Sequence, residues 1–355
     1  MRFGEKHTIM VKSLLKPGAN TYMKRFLALL LPLFLLCGCG GTQPYSTDFF
    51  AMDTFMTVTV QGTANAQTLA VDCERRVNAL EKLLSRTRED SELYQLNHAE
   101  NGQFALGDET ADYIKTAQNL SEQTDGAFDP AVAVLTDLWG IGTDNARVPA
   151  QSEIDEALTH VGCQNITLDG QKLTLQNGAQ LDLGGIAKGI AADECAAILR
   201  KENAEGLLQI GGNIYAVGSN SGKPWVVGIA DPDNNAAYLA TVAVEDQSIV
   251  TSGDYERFFE QNGKRYHHIF DPKTGYPADT GLRGVTVIDA DSTRADAFTT
   301  ALFVMGLEKG MAFCTENGVA AVFITADKRV LTTPQVNKVA KFTFDGAEKG
   351  YTYAQ

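Results

Sequence analysis

The chain has 355 residues, 44% of them hydrophobic and 21% charged, which excludes a disordered or low-complexity protein. Asp and Glu outnumber Lys and Arg by 44 to 30, a formal charge of −14, so phosphate backbones are repelled and nucleic acid is excluded as a partner. Such a length exceeds what one small core holds, and one large domain or two interlocked lobes is expected.

Met23-Lys24-Arg25 opens a basic segment, and Phe26 to Leu36 is an apolar run broken only by Pro32, too short to span a bilayer. Leu36-Cys37-Gly38-Cys39 reads as a lipobox with Cys39 lipidated. Residues 1–38 are therefore expected to be a signal peptide with its start at Met23, and 39–48 a lipidated tether. The expected location is the cell membrane, lipid-anchored on the extracytoplasmic face, with an uncleaved anchor as the alternative. Loss of the six basic residues and one acidic residue before Cys39 moves the balance to −19. A nucleotide ligand would then need local neutralisation by a metal or a helix N-terminus.

Beyond the tether, Phe55 to Val60 alternates as a strand, and residues 66–85 form an amphipathic helix with Val77, Leu80, Leu83 and Leu84 on one stripe. A second helix is expected over 109–123, and Lys172 to Gln176 is a strand between Asp-Gly and Asn-Gly turns. A helix over 189–203 leads to a strand at 207–210 and the turn Gly211-Gly212. Strands are expected at 214–217, 225–229, 239–244, 284–289 and 320–324, with a helix at 293–306. Without βαβ alternation the fold class is α+β, with mixed or antiparallel sheets and flanking helices. The main domain is expected over 49–345, with 346–355 a C-terminal tail. Cys73, Cys163, Cys195 and Cys314 form no CxxC pair and read as small buried hydrophobes.

The chemistry concentrates in His267-His268-Ile269-Phe270-Asp271-Pro272-Lys273-Thr274-Gly275-Tyr276-Pro277, a bent segment rich in functional groups. Adjacent His267 and His268 point to opposite faces of a strand, so one reaches a given site. Downstream, Asp296 and Thr300 stand four apart, one face of a helix with two hard oxygen donors suited to magnesium. Asp182 to Gly189 is a glycine turn opening a helix, a setting that favours anions, yet it is neither a Walker loop nor a dinucleotide fingerprint. Thr251-Ser252-Gly253 reads as a turn whose hydroxyls could bind phosphate. Phe128 and Trp139 read as core residues.

In order along the chain, Met52-Asp53-Thr54, Leu84-Ser85, Asp90-Ser91-Glu92-Leu93, Ala127-Phe128-Asp129-Pro130, Leu138-Trp139-Gly140, Asp182 to Gly189, Gly211-Gly212-Asn213, Thr251 to Tyr255, His268 to Pro272 and Ala295-Asp296-Ala297 with Thr299-Thr300 resemble the FAD:protein FMN transferase (ApbE-type) family. The resemblance implies two lobes around a flavin-nucleotide cleft. It further implies Mg²⁺-dependent transfer of FMN from FAD to a Ser or Thr hydroxyl of an exported redox protein, with AMP leaving. It places Mg²⁺ on Asp296, Thr300 and the Gly185 carbonyl. FAD falls against Met52, Thr87, Ala127, Phe128, Asp129, Asp182, Lys188 and Ile269, and His268 becomes general base. Asp53 stands where the family usually has Gly, and Thr87 where Tyr is frequent. The alternatives are a Mg²⁺-dependent FAD pyrophosphatase and a flavin-binding lipoprotein without turnover. With His268 as base, the rate is expected to rise through the ordinary imidazole pKa.

Overall fold

The computed structural model describes residues 43–100 and 102–354; the signal peptide, the Met23 start and Cys39 lie outside them. β1 (Tyr45–Ala51) and β2 (Thr54–Gln61) form a hairpin whose turn residues Met52 and Asp53 have φ of 51° and 57°. Left-handed backbone at both positions is what a two-residue turn needs to match strand twist, and a Met there is strained. α1 (Ala66–Leu84) follows, burying Leu69, Ala70, Cys73, Val77, Leu80 and Leu84 at helical spacing, with Leu83 at the rim.

Short elements then wrap one end: α2 (Glu92–Asn97), β3 (Gln103–Ala105), α3 (Asp108–Gln123), α4 (Ala133–Trp139), α5 (Gln151–Leu158), β4 (Ile166–Asp169) and β5 (Lys172–Leu175). The three strands make a separate sheet, ordered β3-β5-β4. α6 (Ala187–Lys201) leads into β6 (Glu205–Ile210), β7 (Asn213–Val217), β8 (Trp225–Asp231), β9 (Asn234–Val244) and β10 (Gln247–Gly253). The hairpin of β11 (Phe258–Gln261) and β12 (Lys264–His267) precedes β13 (Leu282–Asp289) and α7 (Ser292–Asn317). β14 (Ala320–Thr325), β15 (Arg329–Thr332), α8 (Val336–Val339), β16 (Lys341–Phe344) and β17 (Thr352–Ala354) follow.

Nine strands form one sheet in the order β1-β2-β6-β7-β10-β13-β14-β15-β17, antiparallel except where β15 meets β17. β14 explains the layering. Ala321 and Phe323 enter the apolar core under α1, α6 and α7, while Ala320, Val322 and Ile324 enter a second core under the β16-β9-β8 sheet. Covered on both faces, its strand reads as a continuous apolar run. The α+β class with a large mixed sheet is borne out. Where two lobes were expected, the described residues belong to one compact unit, with a helical layer and a small sheet on opposite faces.

Two boundaries move. Tyr45 to Asp48, assigned to the tether, already pair with β2, because the inward Phe49 and Ala51 extend their alternation backwards. The tail 346–355 contains β17, held by Tyr353 stacking on Phe342 and Phe344. α7 runs past the expected end at 306, where Gly306 breaks it with φ 76° and ψ 177°. Among the described residues Cys73, Cys163, Cys195 and Cys314 are free; Cys163 is half-buried and the others are buried.

Candidate active site

The site is built where α6 crosses α7. A Cβ on Gly189 would stand 2.5 Å from the Ser292 carbonyl oxygen and 2.7 Å from Thr293 Cα, so only glycine permits this approach. At that contact the Gly189 N–H donates to Asp296 Oδ2 at 2.9 Å. Asp296 is 4% exposed; burial pushes its carboxyl up, and the Lys188 charge, the Gly189 N–H and the Asn213 amide partly offset this. Thr300 lies one turn along the same face of α7. Its neighbour Thr299 is spent internally, donating to the Asp296 carbonyl at 2.8 Å and accepting from Ser252 Oγ at 2.9 Å. Gly185 completes the group: a Cβ there would lie 3.0 Å from Phe128 Cε2 and 3.8 Å from Thr300 Oγ1.

Gly185, Asp296, Thr300 and Phe128 are thus neighbours. One carboxylate, one hydroxyl and the main chain are all oxygen donors, and among the described residues no three His, Cys, Asp or Glu converge. That set suits a hard cation such as Mg²⁺, which keeps waters and shares phosphate oxygens, and is wrong for a thiolate- or imidazole-seeking metal. Beside it, Lys188 in the first turn of α6 makes no ion pair among the described residues. Its charge acts on Asp296, Glu256 and His268. An ammonium at a helix N-terminus is an anion-binding arrangement.

Asp182 anchors the preceding loop. It accepts from the Gly184 N–H at 2.8 Å, from Arg86 Nε at 3.1 Å and from Thr136 Oγ1 at 3.3 Å. Met52, in the strained turn, donates its N–H to Glu81 Oε1 at 2.7 Å. Asp129 spends both oxygens on the Ala131 and Cys163 N–H groups, so the structure gives it a loop-holding role; Ala127 and Phe128 are buried beside it. Thr87 is exposed, its N–H bonded to Ser85 Oγ at 3.3 Å. Trp139 is core, donating to the Gly275 carbonyl at 2.9 Å.

The two histidines separate as the alternation requires. His267 is buried, with Nε2 on the Ala278 carbonyl at 3.0 Å and Nδ1 accepting from the Ile269 N–H, its ring edge-on to Phe303. His268 follows the end of β12 and sets Nδ1 3.3 Å from the Arg257 carbonyl. A proton on Nδ1 leaves the Nε2 lone pair free, the orientation a base needs. Part of its edge is open, but protein crowds the rest, and this desolvation, with the Arg257 and Lys188 charges, lowers its pKa to about 3. The expected rise of rate through an ordinary imidazole pKa is therefore corrected: His268 is already neutral at pH 5.

The Thr251-Ser252-Gly253 turn is also corrected. These residues are in β10, where Thr251 shares a hydrogen bond with the Thr286 hydroxyl at 2.8 Å and Ser252 donates to Thr299, so both hydroxyls are engaged within the fold. Arg86, Glu81 and Glu256 went unnoticed in the sequence, because charged residues in turns or on helix surfaces carry no periodic signal. A surface hollow of about 450 Å³ lined by Leu69, Arg76 and Lys201 lies between α1 and α6, away from these groups, and holds no convergent chemistry.

The ApbE family model matches residues 52–323. The FAD:protein FMN transferase of Treponema pallidum (strain Nichols) is 39% identical over 327 residues, covering 83% of this chain and 90% of its own. That of Klebsiella pneumoniae (strain 342) is 36% identical over 283 residues, covering 78% and 86%. Among solved structures, the ApbE protein from Thermotoga maritima matches with a TM-score of 0.80 at 36% identity, over 84% of this chain and 100% of that one. The apo flavinyl transferase ApbE of Pseudomonas stutzeri matches with a TM-score of 0.76 at 31% identity, over 84% and 96%.

Proposed function

The chain belongs to the ApbE family, and from that premise we propose that it transfers FMN from FAD to a hydroxyl of a protein acceptor. The observation that carries the reading is the cluster of Asp296, Thr300, Gly185 and Lys188 beside a neutral, oriented His268. The acceptor oxygen attacks the FMN-side phosphorus, the bond to the bridging oxygen breaks, and AMP leaves with the electron pair. His268 Nε2 takes the hydroxyl proton. A pKa lowered to about 3 keeps the imidazole unprotonated, and so able to accept that proton, across neutral pH. Lys188 and the α6 N-terminus hold the anionic diphosphate, and Phe128 and Ile269 supply apolar surface.

Asp296, Thr300 and the Gly185 carbonyl would hold Mg²⁺, which offsets charge developing on the phosphoryl oxygens. Met52, Thr87, Ala127, Asp129 and Asp182 border the FAD position in this reading. The lipobox at Cys39 supports anchoring at the extracytoplasmic membrane face and an exported redox protein as acceptor. The test is to incubate the protein with FAD, Mg²⁺ and a candidate acceptor and weigh the acceptor. An FMN adduct with release of AMP is expected; FMN and AMP without adduct would replace transfer by hydrolysis, and no turnover would leave a flavin-binding protein.

A further inference from the structure

We infer that Asn213 is a positioning residue of this site, its buried amide steadying the Asp296 carboxylate and presenting Oδ1 to a hydrated divalent cation. The inference rests on the function proposed above. Asn213 is 0% exposed and opens β7 directly after Gly211 and Gly212, whose φ of 57° and 103° make the tight turn. That turn presses on the site: a Cβ on Gly211 would stand 3.2 Å from Lys188 Cδ and 2.4 Å from Thr54 Cγ2. The main chain of Asn213 is spent pairing with Ile210. Its side chain is not: neither Nδ2 nor Oδ1 has a hydrogen-bond partner.

Four buried side-chain atoms are orphaned in this way among the described residues, and Asn213 owns two of them. A buried amide without partners is costly, and a position chosen for packing alone would carry an aliphatic side chain of similar size. The Asn213 amide bears on the Asp296 carboxyl, yet no bond of normal geometry joins them. An amide offers one donor face and one acceptor face. With the donor turned to a carboxylate, the acceptor is left for a cation or for the water it carries, the company a ligating carboxylate usually keeps.

The test uses protein with FAD but no acceptor, and Mn²⁺ titrated by electron paramagnetic resonance, alongside melting temperatures in chelator. Asn213→Leu is expected to bind Mn²⁺ about 10- to 100-fold more weakly, the usual effect of removing a group that orients a ligand. Its melting temperature in chelator should be unchanged or raised, because the orphan atoms are gone. Asn213→Asp should recover Mn²⁺ binding. If Asn213→Leu binds Mn²⁺ as the parent does while Asp296→Ala loses it, the role of Asn213 is wrong and the metal site stands. If Asp296→Ala also binds normally, the metal reading itself fails. A lowered melting temperature in chelator for Asn213→Leu with Mn²⁺ affinity unchanged would leave Asn213 a packing role alone and overturn the inference.

Discussion

Gly189→Ala adds one methyl group at the α6–α7 crossing without touching any group that meets substrate. Ordinary contact begins at 3.4 Å, and the new Cβ would face the Ser292 carbonyl oxygen at 2.5 Å, so the helices must part by roughly 0.9 Å. Backbone atoms on both sides offer no rotamer to relieve this. Overpacking of this kind costs about 1–3 kcal/mol, while alanine in a helix regains up to ~1 kcal/mol over glycine. The net loss is about 0–3 kcal/mol, which lowers the melting temperature by no more than about 12 °C at ~2–4 °C per kcal/mol for a domain this large. Activity should suffer more. Moving α7 shifts Asp296 and Thr300 together and stretches the Gly189–Asp296 bond, and a misplacement of ~1 Å can cost ~10²-fold in rate. The assay is single-turnover FMN transfer with saturating FAD and Mg²⁺, beside a thermal melt. A variant transferring FMN within twofold of the parent would refute the claim that this close contact sets the geometry.

His268→Ala should keep FAD binding and lose about 10²–10⁴ in transfer rate, the range for a general base; loss of FAD affinity alone would remove that role. Because His268 has its pKa lowered to about 3, the parent rate between pH 5 and 8 should show no step assignable to this residue, and a step near pH 6.5 that vanishes in His268→Ala would contradict it. His267→Ala should instead lower the melting temperature while sparing kcat, since His267 holds the Ala278 carbonyl and packs on Phe303. Asp296→Ala and EDTA should each abolish turnover, and full activity in chelator would discard magnesium. Cys39→Ser should accumulate unprocessed precursor without lipid label; unchanged labelling would move the anchor elsewhere.

Legibility followed the range of the interactions. α1, α6 and the central strands were readable because apolar spacing is a local signal: Cys73, Val77 and Leu80 fall on one stripe, β14 is a near-continuous apolar run, and β13 carries Val285, Val287 and Ile288 within a short strand-like segment. β1 was missed because its outer face carries Ser46 and Asp48, which look like tether. The second half of α7 was missed because Gly306 resembles an end signal, whereas helix resumes beyond the break. The glycine turn and the Asp296–Thr300 pair were readable as local motifs. Arg86 and Glu81 were not, since their partners Asp182 and Met52 lie far away in the chain. The environment of His268 was equally hidden: its lowered pKa comes from packing that no residue spacing encodes.

The order β1-β2-β6-β7-β10-β13-β14-β15-β17 never steps backwards along the chain. A newly made polypeptide can therefore build this sheet from one margin to the other as it emerges, each strand joining the one before. Such growth keeps pairing partners near in time of synthesis, and it also leaves a raw, hydrogen-bond-hungry margin at every stage. Among the described residues, Thr352–Ala354 covers the outer edge of β15. Stop codons or fusions that disturb those residues should thus surface as a biogenesis defect, in aggregation and yield, rather than as a slower enzyme.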